Sequence, residues 1–230
     1  MAHPQDSFNE SFNDSFDESF NDSFDDSFDE YGVIPEKQRE KAGIYYGLHY
    51  TTELKLDADG IMEELDKKEW RPVTASENSR RIQHYGFTYN YAARKVDAAC
   101  EPIPEWLLPL RDELMNLCLK HELVDDTYVF NQCIVNDYQP GQGISKHTDT
   151  LQYGAVIGCF TLGSGATMTF KKGNATHDVY TEPNSLYVMS GEVRYKWTHE
   201  MAARKSDVVG KLKVKRGRRI SVTFRNVPEK

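Results

Sequence analysis

From residue 128 to residue 227 the chain is one short strand-like segment after another. Segments 128–138, 155–162, 167–171, 177–180, 185–189, 195–198 and 219–227 are rich in β-branched and aromatic residues. Turn formers separate them: Gly163, Gly165, Gly173-Asn174, Pro183-Asn184 and Gly191. Ahead of this run lie two helix-like stretches. Residues 57–70 place Ile61, Met62 and Leu65 on an apolar face behind a capping Asp57 or Asp59. Pro104 opens a second stretch to about residue 123, with Trp106, Leu107, Leu110, Leu114 and Leu117 facing a core. Residues 44–54 read as a strand, and residues 92–104 as a loop. Helices first and many short strands later predict an α+β fold, a double-stranded β-helix (jelly roll) buttressed by N-terminal helices.

The last segment alternates strictly. Ile220, Val222 and Phe224 share one face; Arg219, Ser221, Thr223 and Arg225 share the other. Two arginines turned into a barrel are costly unless an anion meets them. A dicarboxylate such as 2-oxoglutarate offers two carboxylates suited to forked guanidinium groups. The alternative is an edge strand whose polar face is in water. Upstream, a Pro140-Gly141 turn leads into His147-Thr148-Asp149. On a strand, residues i and i+2 face one side, so His147 and Asp149 can address one atom. They are two of the three ligands of a 2-His-1-carboxylate iron site, with His199 as the candidate third. A surface histidine beside a turn aspartate is the plain alternative for the dipeptide alone.

The N-terminus has another character. Residues 7–30 are six tandem copies of Ser-Phe-(Asn/Asp)-(Asp/Glu). A period of four suits neither helix nor strand, and phenylalanine is the sole apolar residue, so residues 1–35 are expected to be a disordered acidic tail and residues 36–230 the folded domain. Ten of the chain's 36 acidic residues fall in 1–30, which has no Lys or Arg, so the remaining 200 residues hold 26 acids against 28 bases. The net charge of −8 therefore belongs to the tail, and the domain's balance does not argue against nucleic acid. The tail reads as a solubilising leader, or as a segment that binds a protein partner or competes with nucleic acid for a basic face. Arg80 and Arg81 precede Tyr85, Phe87, Tyr89 and Tyr91. Such a cluster suits a nucleic-acid surface, with rings on bases and arginine on phosphate, or else a strand pair whose tyrosines enter the core. Residues 201–218 carry seven Lys and Arg, including Arg204, Lys205, Arg216 and Arg218, and read as a flexible loop at the barrel mouth or as a solvated loop. Cys100, Cys118, Cys133 and Cys159 show no paired spacing and read as reduced residues of an intracellular protein, cytoplasmic or nuclear. No apolar run reaches the roughly 20 residues of a membrane span. A monomer is expected.

Asn136-x-Tyr138, Pro140-Gly141, His147-x-Asp149, Ser190-Gly191-Glu192-x-Arg194-Tyr195, His199 and Arg219-x5-Arg225 resemble, in their order, the AlkB family of Fe(II)/2-oxoglutarate dioxygenases. The match spans most of residues 44–227 and looks most like the AlkB domain of the animal homologue that hydroxylates a modified tRNA wobble uridine. The resemblance implies Fe(II) on His147, Asp149 and His199, with 2-oxoglutarate and O2 as cosubstrates. It places Arg219 at the distal carboxylate, Arg225 near the chelating end, and Asn136 and Tyr138 as hydrogen-bonding partners of the cosubstrate. It further implies hydroxylation or oxidative demethylation of modified bases, as in RNA modification or DNA repair, with RNA ahead of DNA. Tyr85, Tyr89 and Tyr91 are the candidate base contacts. The same chemistry on a protein or small molecule, and a non-catalytic adaptor working through the Phe-rich tail, are the alternatives.

Overall fold

The computed structural model describes residues 47–228. The acidic repeat, the boundary expected at residue 35 and the start of the strand expected at 44–54 lie outside the described residues. Strand β1 (Leu48–Thr51) precedes helix α1 (Ala58–Asp66), then come β2 (Arg71–Pro72), β3 (Arg81–Tyr85), β4 (Phe87–Asn90) and β5 (Lys95–Ala99). One 3-10 turn, Glu105–Leu107, runs into α2 (Leu108–Lys120). The strand-rich half follows: β6 (Gln132–Tyr138), β7 (Ile144–His147), β8 (Ile157–Gly163), β9 (Ala166–Lys172), β10 (Ala175–Thr181) and β11 (Ser185–Met189). Helix α3 (Gly191–Lys196), β12 (Thr198–Met201), β13 (Ser206–Val209), β14 (Leu212–Lys215) and β15 (Arg219–Arg225) complete it.

The strands form a jelly roll. A seven-stranded sheet runs β1-β11-β8-β15-β6-β3-β2, and a four-stranded sheet runs β10-β9-β12-β7. Each face of the large sheet has its own core. On the outer face, Leu65, Leu107, Leu110 and Leu114 of the helical layer pack on Val135, Phe160, Ile220, Val222 and Phe224. A fully buried side chain of this kind contributes about 1.5–3 kcal/mol, so this face fixes the large sheet on its buttress. The approach is close: a Cβ on Gly158 would lie 2.3 Å from Leu114 Cδ1. Between the sheets, Ile157, Cys159, Tyr187 and Met189 meet Met168, Phe170 and Met201.

Strand β15 decides what the second face contains. It lies centrally, paired with β8 on one side and β6 on the other. Its apolar residues face the helices, so the pleat sends Arg219, Ser221, Thr223 and Arg225 into the space between the sheets. The edge-strand alternative fails because β15 has no free edge.

Several expectations need correction. Residues 195–198 were expected as a strand, but 191–196 form α3. Gly191, at φ 49, turns the chain, and Arg194 is drawn inward to backbone carbonyls instead of pairing on a sheet. The loop expected at 92–104 contains β5, which pairs with β4 as a hairpin of its own. Residues 201–218 are not a flexible loop but carry the hairpin β13–β14, turned at Gly210 with φ 63. Buried Asp207 anchors that hairpin by accepting from Arg204 Nη2 at 2.6 Å and Arg216 Nε at 2.5 Å. Arg218 is likewise engaged, with Asp66 at 2.6 Å and Asp137 at 3.0 Å. These three arginines are therefore spent on the fold rather than offered to phosphates. The four cysteines are unpaired, and no helix among the described residues is long and apolar enough to cross a membrane.

Candidate active site

The antiparallel register of β12 on β7 sets His199 opposite His147. Their ring centroids lie 4.3 Å apart. Asp149 falls two residues beyond the end of β7, so strand geometry alone does not hold it. Arg194 does. From α3 its buried guanidinium donates to four main-chain carbonyls, Asp149 O (3.1 Å), Thr150 O (2.7 Å), Tyr153 O (3.1 Å) and Gly154 O (3.1 Å). It thereby gathers the whole 149–154 loop under the site. Arg194→Met is expected to leave these carbonyls without donors, at about 1–3 kcal/mol for each that stays buried. The variant should bind metal more weakly and melt earlier, as checked by metal titration and thermal unfolding. An unchanged metal affinity would count against this positioning role.

The Asp149 carboxylate has two different oxygens. Oδ1 accepts from Arg225 Nη2 at 3.0 Å. Oδ2 is buried without a hydrogen-bond partner, 3.8 Å from His199 Nε2. Burial alone would raise the Asp149 pKa, but Arg225 and His199 outweigh it and hold the group down at about 2. Burial, then the neighbouring His147, lowers His199 to about 3, so its imidazole is neutral at physiological pH. His147 Nδ1 lies 2.7 Å from Ser145 O, an arrangement that places the proton on Nδ1 and leaves Nε2 as a donor for a cation. The donor set is thus two imidazoles and one ionised carboxylate with an orphaned oxygen, which fits a divalent iron. The atoms are gathered but not closed on one point: among the described residues no three His, Cys, Asp or Glu side chains are spaced to hold an ion as they stand.

At the far end of the same face, Arg219 is only 4 % exposed. Its contacts are with neutral groups: Nη2 donates to Thr161 Oγ1 at 2.9 Å, and its guanidinium lies 5.6 Å from the Tyr138 ring centroid. Its Nε has no partner. Tyr138 stands opposite Arg219, and Asn136 opposite Ser221, across the β6–β15 pair. Asn136 Oδ1 accepts from Arg80 Nε at 2.9 Å. Asn136, Tyr138, His147, Asp149, His199, Arg219 and Arg225 all line one cavity between the sheets, of about 400 Å³ with its mouth included.

The three tyrosines part company. Tyr85 is a core residue, 2 % exposed, edge-on to Trp106 and donating from Oη to Gln83 Oε1 at 2.9 Å. It cannot meet a base. Gly86, at φ 78, ends β3 and starts the separate hairpin, so one alternation does not run through 81–91. Tyr89 and Tyr91 lie together, ring centroids 5.1 Å apart, and Tyr89 lies 6.2 Å from Tyr153. Tyr153, which sequence reasoning passed over, sits 4.8 Å from the Arg225 guanidinium with its hydroxyl buried and unpartnered. Arg194 and Thr161 were also missed as site-builders. A single arginine in Ser190-Gly191-Glu192-Val193-Arg194, and a threonine alternating with Phe160 and Leu162, were the available signals.

The model of the 2OG-Fe(II) oxygenase superfamily matches residues 55–225. An uncharacterised protein, L905, of Acanthamoeba polyphaga mimivirus is 33 % identical over 172 residues, covering 73 % of this chain and 77 % of its own length. The Xenopus tropicalis tRNA (carboxymethyluridine(34)-5-O)-methyltransferase alkbh8 is 34 % identical over 184 residues, covering 71 % of this chain. The chain spans only 29 % of that longer relative. The solved structure of OsALKBH1 shares the fold, with a TM-score of 0.61 at 18 % identity over 80 % of this chain and 98 % of that one. Enzymes of the superfamily use Fe(II), 2-oxoglutarate and O2, which sets aside the non-catalytic adaptor. Sequence and fold agree that the chain belongs to the 2OG-Fe(II) oxygenase superfamily, as a 2-oxoglutarate-dependent dioxygenase of the AlkB family.

Proposed function

We propose that the protein hydroxylates or oxidatively demethylates modified bases in nucleic acid, RNA ahead of DNA. His147, Asp149 and His199 would hold the iron, and Arg219, Asn136 and Tyr138 the 2-oxoglutarate. The observation that carries the cosubstrate assignment is Arg219: a buried guanidinium met, among the described residues, by a hydroxyl and a ring but no acid, with an unpaired Nε. A buried cation needs an anion, and a carboxylate on Arg219 would supply it. When bound, iron and 2-oxoglutarate supply the oxidation of a C–H bond, with O2 consumed and the cosubstrate decarboxylated to succinate.

The protein's own part is placement. Arg225 keeps Asp149 ionised and fixes one of its oxygens, leaving the other for metal. His199 stays neutral through burial. Tyr89 stands 6.2 Å from Tyr153, whose ring lies 4.8 Å from the Arg225 guanidinium at this end of the cavity, and Tyr91 lies 5.1 Å from Tyr89. Flat rings there suit the faces of a base that is single-stranded or flipped from a duplex. The name of the Xenopus relative, which refers to carboxymethyluridine in tRNA, points to RNA.

Incubation with Fe(II), 2-oxoglutarate and O2, followed by mass spectrometry over a panel of modified nucleosides in RNA and DNA, is expected to show a hydroxylated or demethylated base. Binding to the same oligonucleotides should weaken steeply as salt rises. No binding at low salt and no nucleoside product, with succinate still formed, would transfer the chemistry to a protein or small-molecule substrate.

A further inference from the structure

Arg80 is a third arginine near this cavity, bonded to one of its lining residues, and neither the iron nor the cosubstrate assignment uses it. It lies just before β3, half-buried. Its Nε donates to Asn136 Oδ1 at 2.9 Å, and its guanidinium lies 5.7 Å from the Tyr91 ring centroid. Tyr91 is backed on another side by His84, near-parallel at 6.0 Å. Asn136 is 7 % exposed and faces the cavity. Its main chain is fixed on both sides, opposite Ile82 of β3 and Ser221 of β15, but a carboxamide can still turn end for end about its last torsion.

That rotation matters. One end of a carboxamide donates and the other only accepts. A keto acid presents only oxygen acceptors, so an oxygen of Asn136 turned inward would repel it and a nitrogen would bind it. Arg80 can only donate, and it therefore selects the oxygen for itself. We propose that Arg80 is a positioning residue: it holds the Asn136 carboxamide with Oδ1 outward, so that Nδ2 is the group presented to 2-oxoglutarate. The inference rests on the cosubstrate reading of Asn136 given above. The Tyr91 ring, 5.7 Å from the same guanidinium, gives it a second neighbour besides Asn136.

The test is a double-mutant cycle read as 2-oxoglutarate affinity, measured by calorimetry on protein loaded with Mn(II) under nitrogen, where no turnover occurs. Arg80→Met is expected to weaken 2-oxoglutarate binding about tenfold, the effect of one lost charge-assisted hydrogen bond. In an Asn136→Ala background the same change should add nothing, because the carboxamide it acts through is gone. Arg80→Lys keeps a donor and should fall between wild type and Arg80→Met; it carries the cycle if Arg80→Met does not fold. Side-chain amide resonances of Asn136 should be sharp in wild type and broadened in the arginine variants. If Asn136→Ala leaves 2-oxoglutarate affinity untouched, the cosubstrate reading of Asn136 fails first. If Asn136→Ala weakens binding but the Arg80 change does not, or if the two effects multiply, only the Arg80 assignment is overturned.

Discussion

Replacing His199 with alanine is expected to remove iron binding and, with it, the iron-dependent conversion of 2-oxoglutarate to succinate. The expected loss exceeds about 100-fold, because disturbing only the groups behind a metal ligand already costs about 10–100-fold in affinity or activity. The fold should survive. His199 is tied to β9 and β7 through main-chain pairing, which alanine keeps. What alanine loses is a neutral, buried nitrogen 3.8 Å from the orphaned Asp149 oxygen. Two measurements check the result: titration with Fe(II) or Co(II) under nitrogen, and succinate release in air. Wild-type turnover in His199→Ala would end the ligand assignment. So would a normal metal titration in a variant that folds but does not turn over, since the residue would then act without touching the ion.

The parts of this site legible in the sequence are those where local periodicity and global position coincide. Arg219 to Arg225 alternates perfectly, and the alternation alone separates a helix-facing from a cavity-facing set. Whether that polar face met water or a cavity depended on β15 being central, which is set by pairing with β6 and β8 far away in the chain. His147 and His199 were readable as ligand types, and their adjacency is a register fact of β7 on β12. Asp149 shows the limit of the i, i+2 argument. The strand stops at His147, and it is Arg194, 45 residues away, that brings the aspartate back to the same face.

The misreadings have local causes. Tyr85 shares an aromatic run with Tyr89 and Tyr91, yet Gly86 splits that run between a core strand and a rim hairpin. The basic stretch before β15 looked unpaired because its acidic partners, Asp66 and Asp137, lie far back in the sequence, while Asp207 was one acid among many cations. Charge counts do not reveal pairing. Residues 195–198 have strand-like composition, but burying Arg194 against four carbonyls requires the turn of a helix there, and tertiary hydrogen bonding overrode the local preference.

Arg219→Met is the substitution that separates a cosubstrate anchor from a structural arginine. In a structural role, loss of the guanidinium would destabilise the fold and leave the 2-oxoglutarate requirement unchanged. The environment of Arg219 argues the reverse. The group is buried, no acid among the described residues pairs with it, and its Nε is unsatisfied, so in the absence of an anion it is a cost to the folded state. An apolar chain of similar length should fill the space above Tyr138 and leave the unliganded protein as stable as wild type or more so. Against 2-oxoglutarate the same change removes a forked, charge-assisted pair from a site shielded from water, worth about 1.5–3 kcal/mol or roughly 10- to 150-fold. Half-saturating 2-oxoglutarate should rise by that factor, with a much smaller fall in the maximal rate, because the keto-acid end that would meet the metal held by His147, Asp149 and His199 is not the end Arg219 would hold. Thermal unfolding without ligand, set beside succinate release over a range of 2-oxoglutarate concentrations, gives both halves of the result. A lowered melting temperature with an unchanged half-saturation would make Arg219 part of the scaffold and leave the cavity without its anion-binding end.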